Sequence, residues 1–123
     1  MVKPTADVKK AIVCFEYVER VKSELMMAAK LLDVIDALKG EEAVGAKKIM
    51  SSFLSSIQGE IRMAQNILGS KNFEEADKKI SEADQKMREN KSQEAVQSIS
   101  EAITRVTTSG QEAVETLREK GFF

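Results

Sequence analysis

Two pairs of acidic residues have a spacing that suits metal-assisted phosphate chemistry. Glu16 and Glu19 form one acid-x-x-acid pair, and Asp33 and Asp36 form a second pair further along the chain. Residues three apart lie on the same face of a helix, so each pair can present two carboxylates together. Hard cations such as Mg²⁺ prefer oxygen ligands and neutralise phosphate charge. The pattern is therefore a candidate for binding Mg²⁺ beside a phosphate group.

This arrangement resembles the Glu-x-x-Glu then Glu-x-x-Asp motif of the all-α, MazG-like nucleoside triphosphate pyrophosphohydrolases. The resemblance implies an enzyme that holds magnesium between carboxylates on facing helices. Asp33 departs from the Glu of that family, and both pairs fall within one helical pattern. On one straight helix Glu16 and Asp33 would lie about 25 Å apart and could not share an ion. The other interpretation is a solvated charged face, and only a helix break near 20–23 would favour the enzyme.

Other kinds of catalytic site have little material in this chain. It contains no His, which removes the usual general base and the Glu-x-x-His pairs of ferritin-like di-iron sites. Zinc is disfavoured for the same reason. The single cysteine, Cys14, falls on an apolar helix face, where a thiol behaves as a small hydrophobic side chain. We therefore predict no catalytic residue, no metal ligand and no cofactor.

The first helix is predicted from an unbroken apolar seam between Ala11 and Ile35. Apolar residues recur there at alternating steps of three and four, which fits a helix and excludes a strand, whose side chains alternate with period two. Such a long helix must pack against other helices to bury its seam. The seam consists of Ala11, Cys14, Val18, Val21, Leu25, Ala28, Leu32 and Ile35.

Three further seams complete the pattern of a single all-α domain over 1–123. The predicted helices run from about 5 to 38, 42 to 68, 72 to 90 and 92 to 119, with Asn72 and Ser92 as expected N-caps. The fourth seam keeps its phase through Gly110, which predicts one continuous helix. We expect a four-helix antiparallel up-down bundle with long, coiled-coil-like helices. The apolar tail Phe122-Phe123 is expected to plug the bundle end or to dock on a partner.

The first helix carries more apolar surface than one seam requires. Beside the seam runs a second row, called here the outer row, which Arg20 and Glu24 interrupt. One interpretation is ordinary contact with several neighbours in a bundle. The other is a homodimer in which the C-terminal half of this helix lies at or near the two-fold axis. The residues of this candidate self-association surface are Val13, Tyr17, Met27, Leu31, Val34 and Leu38.

Composition limits the classes of partner. The 19 Lys and Arg residues are interspersed with 20 Asp and Glu residues, which argues against nucleic-acid binding. The longest charge-free run, 49–59, is shorter than the roughly 18 residues of a membrane span. One cysteine and no visible signal peptide favour the cytoplasm.

In composition and length the chain is similar to small, uncharacterised archaeal helical-bundle proteins. We therefore expect a non-catalytic, self-associating interaction or scaffold protein, a homodimer that could also bind another protein.

Overall fold

A computed structural model describes residues 6–122, and four α-helices make up most of this part of the chain. The helices are α1 (Ala6–Asp36), α2 (Gly40–Leu68), α3 (Lys71–Arg88) and α4 (Ser92–Glu119). The predicted all-α class and the number of helices within 6–122 are confirmed. The expected helix start near Thr5 and the last residue of the apolar tail, Phe123, lie outside the described residues.

The four helices surround one main hydrophobic core. α1 packs against α2 and α4, and α3 packs against the same two helices. The predicted seam of α1 is buried at every position except Cys14, which is partly buried. A smaller cluster joins the start of α1 to the end of α4. The large side chains that are fully buried include Leu25, Leu32, Leu54, Ile57, Ile61, Phe73, Ile80, Met87 and Ile99.

Polar pairs on the rim connect α3 to both of its neighbours. Exposed pairs of this kind contribute little stability one by one, because water screens them and long side chains lose entropy on pairing. Together they still favour the observed alignment of the helices over alignments in which one helix is shifted along its axis. The pairs between α2 and α3 are Ser51–Asp84, Gln58–Ser81 and Arg62–Asp77, and those between α3 and α4 are Glu75–Arg105, Lys79–Glu101 and Lys86–Glu94.

Gly110 explains how closely α4 approaches α1. The helix continues through this residue, as predicted, and Gly110 is buried. A Cβ atom placed on Gly110 would lie 2.8 Å from Cγ1 of Val18, closer than atoms of this kind can pack. Val18 is itself buried and branched at Cβ, so it has little room to move. The glycine therefore lowers the intrinsic stability of α4 as a helix, but it permits the close contact between α1 and α4.

The junction between α1 and α2 differs from the predicted boundaries. α1 ends at Asp36 and not near Leu38, because the chain tightens after it: the amides of Ala37 and Leu38 donate to carbonyls three residues back. Gly40, with a left-handed φ of 63°, is the first residue of α2 and not a residue between the helices. The helix begins two residues earlier than the sequence pattern indicates.

The predicted caps of α3 and α4 were wrong by one or two residues. Ser70 caps α3, since its Oγ accepts a hydrogen bond from the amide of Asn72 at 3.3 Å. Lys91 precedes α4, and Ser92 is already helical. α3 ends at Arg88, after which Asn90 takes a left-handed φ of 63°.

Both α3 and α4 end in a Schellman motif. After α3, the Lys91 amide donates to the Lys86 carbonyl at 2.8 Å, and after α4 the Phe122 amide donates to the Leu117 carbonyl at 2.9 Å. Gly121 supplies the left-handed residue at the second site, with a φ of 84°. The Phe122 side chain is 52% exposed, so this residue of the tail does not plug the end of the core.

Candidate self-association surface

The structure divides the predicted outer row of α1 into an exposed and a partly buried group. Met27, Leu31 and Val34 are exposed, at 53%, 37% and 59%. The partly buried members are Val13, Tyr17 and Leu38, and Leu38 lies in the α1–α2 connection and not on the helix. The row is therefore most accessible in the C-terminal half of α1.

α2 carries a second outer row that the sequence interpretation missed. Its apolar members are Ile49, Phe53, Met63 and Ile67, and the steps between its positions alternate between four and three when Ser56 and Glu60 are included. Ile49, Met63 and Ile67 are exposed, at 74%, 57% and 51%. The same helical-wheel argument that identified the row on α1 would have found this one, because both rows have apolar ends and a polar middle.

The polar middles of the two rows meet each other. Arg20 Nε of α1 lies 3.5 Å from Glu60 Oε1 of α2. This contact shows that the two outer rows lie side by side on the surface, with their polar middles at the same level. The Arg20 guanidinium also lies 5.1 Å from the centre of the Tyr17 ring, within the range of a cation–π contact. We call the two rows together the outer face. It is an apolar surface across α1 and α2 with one charged cluster, Arg20, Glu24 and Glu60, in its middle.

Glu24 and Glu60 form an unusual pair of carboxyl groups within this cluster. Burial raises the pKa of Glu24 to about 7, helped by a hydrogen bond to Glu60 and by the charge of Glu60, while Arg20 acts in the opposite direction. A protonated Glu24 can donate to Glu60, whereas two ionised carboxylates repel each other. Glu60 Oε2 is buried, and among the described residues no N–H group or hydroxyl donates to it, which leaves a protonated Glu24 as its donor.

The acid pairs of the nucleotide-hydrolase resemblance do not come together. α1 is one helix through both pairs, so Glu16 and Asp33 remain about 25 Å apart along it. Glu16, Glu19, Asp33 and Asp36 are all exposed. Among the described side chains, no group of three or more His, Cys, Asp and Glu could hold a metal ion.

Cys14 lies at the edge of a depression between the start of α1 and the end of α4. Its Sγ donates a weak hydrogen bond to the carbonyl of Ser109 at 3.5 Å. Burial, and next the charge of Glu112, raise the pKa of the Cys14 thiol to about 11. The thiol therefore stays protonated at neutral pH and is a poor nucleophile.

Comparisons with known proteins leave the family of this chain open. No protein-family model, no curated protein and no solved structure matches it. In the part of the chain that the structure describes, no helix has the length and apolar character to cross a membrane.

Proposed function

We propose that this protein is a non-catalytic helical scaffold that associates with a second copy of itself through the outer face. The observation that carries the proposal is the exposure of large apolar side chains along one face of two adjacent helices. Isolated exposed apolar residues are common, but a contiguous group on a small soluble domain usually marks a contact surface. Met27 and Met63 are flexible enough to adapt to a partner.

The dimensions of the outer face suit a dimer. The row on α2 runs from Ile49 to Ile67, which is about 27 Å of helix, and the helical part of the row on α1, from Val13 to Val34, is about 32 Å long. Two packed helices are roughly 20 Å wide, so the face covers about 600 Å² before side-chain relief is counted. A standard interface buries about 800 Å² on each partner. The outer face therefore comes close to the area that a stable contact needs.

The charged cluster gives the outer face an arrangement that a two-fold axis can match. Arg20, Glu24 and Glu60 lie near the middle of the face, between apolar ends. A two-fold axis close to Glu24, where the C-terminal half of α1 begins, would place cluster against cluster and apolar ends against apolar ends. Both signs of charge are present, so the Arg20 of one copy can face carboxylates of the other. A polar group inside such an apolar contact would specify the register of the two copies.

The finer features of the bundle belong to the same proposal. The polar pairs support an antiparallel up-down course. Going along α3 from its start to its end, the residues that it pairs with lie progressively nearer the start of α2 and the start of α4, so α3 runs opposite to both helices. Small exposed residues beside the outer row of α2, Gly45, Ser52 and Gly59, would allow another helix to approach closely. A cytoplasmic location is supported by the single cysteine alone.

Two neighbouring methionines provide a matched test of this surface. Met26 and Met27 are exposed to similar extents, at 50% and 53%, but only Met27 lies on the outer row. We expect Met27→Asp to weaken dimerisation at least tenfold, because an unpaired carboxylate would enter the contact. Met26→Asp, about 100° around the helix, should leave the dissociation constant within a factor of about two. Sedimentation equilibrium measures both constants.

The two variants also separate the other interpretations. Equal weakening by Met26→Asp and Met27→Asp would place the contact elsewhere on α1. A wild-type chain that stays monomeric at high concentration would contradict self-association and leave a different protein as the partner of the outer face. Circular dichroism of each variant establishes that a change of mass does not come from unfolding.

A further inference from the structure

The charged cluster in the outer face holds more negative than positive groups. Glu24 and Glu60 lie on neighbouring helices, with Arg20 as the cation within reach. With one proton on the carboxyl pair the cluster is neutral, since one carboxylate balances one guanidinium. Without that proton the cluster carries one net negative charge per copy.

The geometry of Glu60 indicates where such a proton would be held. Its Oε1 is paired with Arg20, while its Oε2 is buried and receives no donor from the described residues. A carboxylic acid on Glu24 can supply that donor across the α1–α2 contact. The arginine and the proton would then satisfy the two oxygens of Glu60 separately.

We propose that self-association of this chain is linked to protonation, with one proton held between Glu24 and Glu60 in each copy of the dimer and released to solvent when the copies separate at higher pH. This inference rests on the proposed dimer through the outer face. Covering the cluster with a second copy removes water from it, which penalises the state with a net charge. Two clusters meet near one axis, so their excess negative charges also repel each other.

The groups that face Glu24 are few. From α1 itself, Arg20 approaches it and favours ionisation; from α2, Glu60 opposes ionisation. The Tyr17 ring is stacked on Arg20 and keeps the guanidinium beside the cluster. α4 also packs against α1, and the charged groups that shift the pKa of Glu24 include none from α4. The pKa of Glu24, raised to about 7, places the transition close to neutral pH.

The test is the dimer dissociation constant measured by sedimentation equilibrium between pH 5.5 and 8.5. We expect the constant to rise at least tenfold between pH 6 and pH 8, because each separated copy releases a proton that the dimer retains. In Glu24→Gln, whose amide can donate to Glu60 but cannot ionise, the constant should stay flat at a value near that of the wild type at pH 6. Glu60→Gln should flatten the profile as well.

Glu16→Gln is the matched control, because Glu16 is an exposed carboxylate on the same helix and lies outside the cluster. It should keep the pH dependence of the wild type. A dimer whose constant is equal at pH 6 and pH 8 would overturn the proton linkage while leaving the proposed dimer in place. A chain that is monomeric at every pH would overturn both. An NMR titration of the Glu24 carboxyl carbon gives a reading that does not depend on mass, and a midpoint near the ordinary value of 4.5 in the dimer would also overturn the linkage.

Discussion

The first two helices and the last two helices of this molecule differ in the polarity of their exposed residues. Within 71–119, which the structure describes without a gap, every exposed residue is polar or charged. The first two helices instead expose large apolar side chains along their length. These residues are Ile12, Phe15, Met26, Met27, Leu31, Val34, Val44, Ile49, Met63 and Ile67.

This difference lies in what each pair of helices does with the apolar residues that its core does not bury. α3 and α4 bury their apolar residues on one stripe and cover the rest with charges, some of which pair between the helices. α1 buries its seam, apart from the partly buried Cys14, and still has apolar residues left on its outer row. Burial of the core does not require those residues, and they form the surface on which the proposed self-association rests.

The largest expected contrast is between two isoleucines, one from each half. Ile80 of α3 is fully buried, whereas Ile49 of α2 is 74% exposed. We expect Ile80→Ala to lower the free energy of unfolding by about 2–5 kcal/mol, through lost burial and a cavity. Ile49→Ala should change it by less than about 0.5 kcal/mol in the monomer. Urea denaturation at low protein concentration measures both, and a large loss in Ile49→Ala would mean that the outer row supports the fold itself.

Two glycines provide a second contrast, with opposite signs. In Gly110→Ala the new methyl group would clash with Val18, so we expect a loss of about 1–2 kcal/mol despite the better helix propensity of alanine. A Cβ atom placed on Gly59 of α2 would have open space around it, with no neighbouring side chain within 4 Å. Gly59→Ala should therefore gain about 0.5–1 kcal/mol. Thermal unfolding of both variants shows whether each substitution lowers or raises the stability. Stabilisation by Gly110→Ala would show that α1 and α4 can move apart at little cost.

The pH dependence of folding tests the carboxyl pair apart from dimerisation. The pKa of Glu24 is raised from 4.5 to about 7 in the folded chain. Between these values the folded chain holds a proton that the unfolded chain releases, so stability should fall as the pH rises from 4.5 to 7. Glu24→Gln should lose this part of the dependence. The measurement is urea denaturation at low protein concentration, where the chain is monomeric, and a pH profile in Glu24→Gln equal to that of the wild type would contradict the raised pKa of Glu24.

The smallest effect is expected at the ion pairs of the polar half. Arg105 Nε lies 3.1 Å from Glu75 Oε2, and both side chains are partly exposed. Replacing Arg105 with Gln should cost less than about 1 kcal/mol, and less again at high salt. It should leave the mass in solution unchanged, in contrast to Met27→Asp. A change of mass in Arg105→Gln would show that the charged half also takes part in self-association.

Much of the fold was predictable from periodicity. The seam from Ala11 to Ile35 identified the long first helix, and the unbroken phase through Gly110 correctly predicted a continuous fourth helix. The ends were less predictable, because several residues near each end can serve as caps. Ser70 and not Asn72 caps α3, and this choice depends on the backbone geometry of the turn.

The candidate surface was predictable only in part. The outer row of α1 follows from a helical wheel, but the wheel does not say which side chains a neighbouring helix covers. The structure leaves Met27 and Val34 exposed while it partly buries Tyr17. The pairing of Glu24 with Glu60 joins residues on different helices, and no pattern in a single sequence gives the rotation of two helices about their axes.

The most direct test of the central claim is the absolute mass of the chain in solution. Light scattering over a hundredfold range of concentration near pH 6 should give twice the chain mass of 13.6 kDa at the upper end, and the mass should fall on dilution or in Met27→Asp. A mass of 13.6 kDa at every concentration would contradict self-association. In that case the outer face would serve a different protein.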